Sequence, residues 1–241
     1  AVSDTVLQCV APSADAAGVR HWEAIDLGAD AAAVARAASL TGDATIASGV
    51  LSLTQVRTSE RRGALLLRAW GRYPALRTLR VQFDLMCHGG GKHGGRGVSF
   101  NYGPLDEHTP LDESGGEHLG LALSFVRGPS TALEVRLQGA LLLSRPIDDA
   151  WPRRVWSPVD IALLEGGGPR PATSVTVRIS GIEILRDGEL VLPDWDPAPF
   201  WRVAFAARTP LAADMADAYE LSQLRFGSGL LAASASVPVR V

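Results

Sequence analysis

Residues 79–103, LRVQFDLMCHGGGKHGGRGVSFNYG, carry the clearest hydrophobic pattern in the chain. Leu79, Val81, Phe83 and Leu85 alternate with Arg80, Gln82 and Asp84, the two-residue period of a strand with one buried and one solvated face. Val98, Phe100 and Tyr102 alternate with Ser99 and Asn101 in the same way. Between the two runs the chain is rich in glycine, which tolerates positive φ and close backbone approach. The segment therefore reads as a β-hairpin with a glycine-rich loop.

Other short apolar runs follow the same logic, each bounded by Gly, Pro, Asp or Ser. They fall at 45–46, 50–54 and 63–69 before this centre, and at 120–126, 156–164, 173–179, 182–190, 201–207 and 220–226 after it. Residues 133–137 and 141–143, joined by Gln138-Gly139, read as a second hairpin, and 21–27 as a first edge strand. Regularly spaced short strands are the pattern of a sandwich or barrel. Only 29–39, ADAAAVARAAS, has helix propensity, through its alanines, and its length suits one brief helix or a loop. Pro193, Pro197 and Pro199 fix a rigid turn, with Trp195 expected to pack under it. The expected organisation is a sandwich with an N-terminal arm over 1–226, and a linker or first strand of a following domain over 227–241.

The strands around the glycine loop, with GLALSFV at 120–126, resemble the concanavalin A-like lectin/glucanase superfamily, in particular the legume-lectin-like sandwiches of multidomain extracellular proteins. In those relatives a strand ending near Phe-Asp leads through a glycine-rich loop into a segment like GADGFSFNYG, then a strand like GLAVSFDT. LVLPDWDPAPFWRVAFAART at 190–209 is similar to the family's Leu-Pro-x-Trp-x-Pro turn and following strand, and ELSQLRF at 220–226 resembles its closing strand. The resemblance spans roughly residues 40–226. It implies an all-β fold, a two-sheet antiparallel jelly-roll sandwich with at most one short helix.

The resemblance also implies where a sugar would sit. Legume-type lectins use an Asp at the start of the strand equivalent to 97–102, an Asn and an aromatic ring from loops, and backbone amides, with calcium fixing the loop geometry. The Asp position is Arg96 here, in GGRG, and a guanidinium cannot accept a hydrogen bond. Where metal-binding relatives carry acidic residues on the next strand, this chain has Ser124 and Val126. The expectation is a degenerate lectin site with no calcium and no other cofactor. Candidate carbohydrate contacts are Arg96, Asn101, Asp106, Trp151 and Trp156; the two tryptophans, in DAWPRRVWSP, are read as an exposed pair able to stack on a sugar ring. Asn101 reads equally well as a cap on a neighbouring loop backbone.

Composition narrows the remaining classes. At 241 residues and 46% hydrophobic, the chain suits one large all-β domain. No apolar run approaches bilayer length, so no membrane insertion of this segment is expected, and AVSDTVLQCV lacks the features of a signal peptide. A net charge of −3 with dispersed basic residues argues against a nucleic-acid partner. Cys9 and Cys87 leave two readings open, one disulfide or two separate thiols. His88, His93, His108 and His118, together with Cys87 and the acidic residues of 106–117, match no strong zinc spacing.

There is no Gly-x-Ser-x-Gly elbow, no Gly-x-Gly-x-x-Gly in a strand–helix context, no Walker-type lysine loop and no Glu-x-Asp-x-x-Glu strand of the glucanase type, and so no positive sign of an enzyme. The expected function is a non-catalytic adhesion or assembly module of a larger extracellular or cell-surface protein, its partners neighbouring domains or proteins of that assembly. The alternative is a glycan-binding lectin-like domain with a non-standard, calcium-independent site.

Overall fold

The computed structural model describes residues 21–28, 31–68, 78–89, 96–114, 120–127, 130–165, 172–212 and 216–229. These residues form two antiparallel sheets and one seven-residue helix, α1 (Ala31–Ala37). The nine-stranded sheet runs β13 (Ile182–Leu185), β12 (Thr173–Ile179), β11 (Ser157–Glu165), β6 (Thr78–Gly89), β16 (Asp217–Gly229), β4 (Val50–Ser52), β3 (Thr45–Ala47); β1 (His21–Ala24) adds to β16 and β14 (Val191–Leu192) to β12. The seven-stranded sheet runs β10 (Ala140–Pro146), β9 (Ala132–Leu137), β8 (Leu121–Arg127), β7 (Arg96–Gly103), β15 (Arg202–Arg208), β5 (Arg62–Leu67), β2 (Ala38–Gly42). This is the two-sheet sandwich that the alternating pattern implies.

The expected central hairpin is not one. β6 pairs with β11 and β16, whereas β7 pairs with β8 and β15 in the other sheet. The chain therefore leaves one sheet at Gly89 and enters the other at Arg96. Alternation reports which face of a strand is buried but not which sheet the strand joins, and a six-residue connection easily spans the roughly 10 Å between packed sheets. The second hairpin, β9 to β10, does form, turning at Gln138 and Gly139, both with positive φ. The single strand expected over 182–190 stops at Leu185 as β13; a turn containing Gly188 at φ 76° follows, and β14 begins beyond it at Val191. β2, unexpected from sequence, follows directly from α1 and pairs with β5.

The inner faces of both sheets make one core. Phe205 lies at its centre, with ring centroids 5.0 Å from Phe83, 5.8 Å from Phe100 and 6.3 Å from Phe226. Edge-to-face and tilted geometries of this kind add to plain burial by matching ring edges to ring faces. Trp195 packs under the proline turn as expected, against Tyr102 and Trp201 at 5.9 and 5.5 Å. At one lateral margin Arg145 on β10 reaches across to β13: its Nη1 donates to the Ile184 carbonyl at 2.5 Å and its Nη2 to Glu189 at 2.7 Å. The two sheets are thus tied together along the edges formed by β10 and β13.

Candidate functional site

The outer face of the seven-stranded sheet is covered. Outward positions on β5 and β15 carry Ala64, Leu66, Ala204 and Ala206, and the small alanines leave room for Leu105 and Leu111 from the segment after β7. These six residues form a second apolar cluster on the side away from the main core. Ser99 and Asn101 lie under the same segment and are fully buried, so β7 is buried on both faces and its expected solvated face does not exist.

At the end of the sheet this covering segment meets the start of β7. Ser99 Oγ donates to the Asp112 carbonyl at 2.6 Å, which pins residues 112–113 over Ser99 and its cross-strand neighbour Ser124. Arg96 has a φ of 63°, and its Nη1 donates to Glu113 Oε1 at 2.8 Å. Glu113 is only 7% exposed, and its second oxygen, Oε2, is buried with no hydrogen-bond partner among the described residues. Ser124 Oγ is also buried without one. Arg208 Nη1 lies 3.7 Å from Asp112 Oδ2. The strand end therefore combines a guanidinium, a carboxylate with one uncommitted oxygen and an uncommitted hydroxyl. The guanidinium is the part of this group open to a ligand, whereas the carboxylate oxygen and the hydroxyl lie beneath the surface.

The other expected contacts do not converge there. Asn101 is buried, with its amide donating to Ser99 Oγ at 2.9 Å, so it braces the covered face and does not line a groove. Asp106 is exposed but engaged in its own turn, accepting from the His108 N–H and the Thr109 hydroxyl, both at 2.9 Å. The Thr109 hydroxyl and then the His108 amide hold its carboxyl below the ordinary range. Trp151 is 1% exposed, which overturns the reading of an exposed tryptophan pair. It plugs the end of the sandwich between Phe125 and Tyr219, with the Arg127 guanidinium 4.7 Å above its ring and Arg127 Nη2 donating to its carbonyl. Trp156, at 37%, is exposed as expected, but it leads into β11 of the other sheet.

The same plug is anchored by Arg153, which pairs with Asp217 and also donates to the Gly89 carbonyl. Burial pushes the Asp217 carboxyl up, and the Arg153 guanidinium opposes that shift. Nearby, Cys87 is a free, buried thiol pushed up to about 12, chiefly by burial. Cys9 lies outside the described residues, and the expected bridge falls there with it. His93, Glu117 and His118 also lie outside them. Among the described residues no group of three or more His, Cys, Asp or Glu side chains could hold a metal. At the positions where relatives carry calcium-binding carboxylates, β8 offers Ser124 and Val126, a hydroxyl and an isopropyl group; a hard cation needs several oxygen ligands, and these residues do not fit one.

Glu113 is the residue that sequence reasoning undervalued, placing it only within an acidic rim. Its role depends on a segment folding back over its own strand, and such a return leaves no periodic signature.

No protein-family model matches the chain, and no curated protein matches it by sequence. Solved structures do. The VIP36 exoplasmic/lumenal domain in its Ca2+-bound form is similar with a TM-score of 0.61 at 15% identity, covering 86% of this chain and 88% of that one. A legume lectin-like domain from Entamoeba histolytica gives 0.62 at 12%, covering 84% and 95%. The Emp46p carbohydrate recognition domain in a potassium-bound form gives 0.61 at 12%, covering 86% and 96%. At such identities the likeness speaks for the fold alone: the chain has the concanavalin A-like sandwich fold of these legume lectin-like domains.

Proposed function

We propose that the domain is a non-catalytic glycan-binding module whose sugar contacts are independent of calcium. The observation that carries this reading is the exchange at the start of β7. Where the family places an aspartate acceptor this chain has Arg96, and Arg96 draws in Glu113, whose Oε2 is left uncommitted at the same strand end. The acceptor then comes from the covering segment, and a sugar reaches the buried Oε2 by displacing the Arg96 side chain or part of that segment. Solved relatives with bound sugar lend support: a VIP36 domain was crystallised with Ca2+ and Man3GlcNAc. That protein's lumenal setting also favours a compartment outside the cytosol for this one.

The test is a glycan array probed with the intact protein and with Glu113→Gln, each with and without chelator. The glutamine keeps an oxygen for Arg96 but loses the carboxylate charge. Signals that survive chelator and fall about tenfold in the variant are expected, the scale of one charge-assisted hydrogen bond. Signals abolished by chelator, or untouched by the substitution, would remove the reading.

A second reading, an adhesion or assembly module within an extracellular protein, is favoured by a different feature. Val155 and Trp156 are 52% and 37% exposed and adjacent, at the mouth of β11. A flat array together with a stable complex that Trp156→Ala dissolves would select it.

A further inference from the structure

On the opposite side of the molecule, the outer face of the nine-stranded sheet carries a groove of about 450 Å³ between β11 and β16, with β6 as its floor. A bulge creates one wall. Ser222 lies opposite Asp84 and Arg225 opposite Gln82, so Gln223 and Leu224 together face Phe83 alone. Leu224 drops into the core at 1% exposure, and Gln223, at φ 55°, is turned outward. Bulges re-aim side chains in this way and cluster at functional positions. The other wall ends at Gly181, where no side chain closes the groove.

The charges in the groove divide into two sets. Asp160 is held by Arg80, at 2.8 Å from Nε and 2.6 Å from Nη2, and by the Gln82 amide at 3.2 Å; Arg178 is paired with Glu183 at 3.1 Å. Asp84 and Arg225 have no side-chain hydrogen bond or ion pair among the described residues, although both line the same groove. They sit diagonally across the β6–β16 pair, a relation that separates side chains by about 7–8 Å. An extended peptide puts residues i and i+2 on one face, about 6.6–6.8 Å apart. The two spacings agree.

We infer that this groove binds an extended peptide segment carrying a basic and an acidic residue two positions apart, the base on Asp84 and the acid on Arg225. The Gln82 and Gln223 amides are placed to meet its main chain. A sugar is the poorer fit, because the one aromatic ring at the groove, Phe83, is 3% exposed and faces the core. This inference is independent of the glycan reading and concerns the other sheet.

The experiment titrates the full chain with blocked Thr-Lys-Thr-Glu-Thr, and with Lys-Thr-Lys and Glu-Thr-Glu versions of the same peptide. Calorimetry or fluorescence anisotropy serves as the readout, and methyl mannoside as the sugar control. The mixed peptide should bind about tenfold tighter than either single-sign peptide and should weaken with added salt. Asp84→Asn and Arg225→Gln should each cost about tenfold, with the melting temperature unchanged. Exchanging the charges, Asp84→Arg with Arg225→Asp, should restore binding, and Glu113→Gln should leave it intact. Equal binding of the three peptides, absence of binding, or displacement of the peptide by the sugar would each overturn the inference.

Discussion

Trp151 and Trp156 show how far single residues depart from their local sequence. Both stand among prolines and arginines that read as surface, yet one fills the end of the core and the other is partly solvated. Local composition could not separate them, because the partners of Trp151, namely Phe125, Arg127 and Tyr219, come from β8 and the distant β16. Trp151→Ala should therefore cost about 3–5 kcal/mol in denaturant unfolding, and Trp156→Ala within about 0.5 kcal/mol. Equal losses would mean that the plug is not packed as described. Cys87 makes a second prediction at this scale. Burial raises its folded pKa from 9.0 to about 12, so the stability gained by keeping the thiol neutral is complete below pH 9 and is lost as pH rises toward 12. At pH 9 iodoacetamide should modify Cys87 only after unfolding. Modification of the native protein would contradict its burial, and resistance even in denaturant, relieved by reductant, would reveal a bridge to Cys9.

Elements carry a different kind of information. The strand character of β6 and β7 was plain from alternation, but their assignment to separate sheets was not, because it is decided by pairing of β6 with the distant β11 and β16 and of β7 with β8 and β15. The double burial of β7 was equally hidden, since it requires Leu105 and Leu111 to return over the alanines of β5 and β15. The family resemblance located Arg96 correctly at the strand end, and the substitution itself was legible; its ion pair with Glu113 was not. Gly97, the next residue, lies opposite Val126, and a Cβ there would overlap the carbonyl oxygen of Phe125. Gly97→Ala should force β7 and β8 apart locally, at a cost of about 1–3 kcal/mol, and should weaken any ligand bound through Glu113. Unchanged stability by thermal melting would show that the two backbones are not in close approach.

For the whole molecule, the fold class was the most legible property, because the fourteen short, regularly spaced apolar runs in the sequence admit few architectures. Circular dichroism should accordingly be dominated by strand, with α1 contributing almost nothing. The clamp joining the two sheet edges depends on pH. Glu189 is held at about 2, below its usual 4.5, first by the Arg145 guanidinium and then by the Arg186 amide. Its contribution is full above pH 4.5 and is lost as pH falls toward 2. Melting curves of the intact protein and of Glu189→Gln should differ at pH 6 and converge near pH 2; a constant gap would remove Glu189 from the clamp.

The position of β16 also sets the order in which a nascent chain can complete itself. β6 is made first, and one of its two neighbours, Asp217–Gly229, follows more than 120 residues later. Until that strand arrives, β6 exposes an unpaired edge, and Phe205 lacks Phe226 beside it. Chains released before Asp217 should therefore be captured by holdase chaperones or by one another, through the open edge. Release from the chaperone should coincide with emergence of residues 217–229, so that the strand closing the open side of β6 is the one that ends the period of risk.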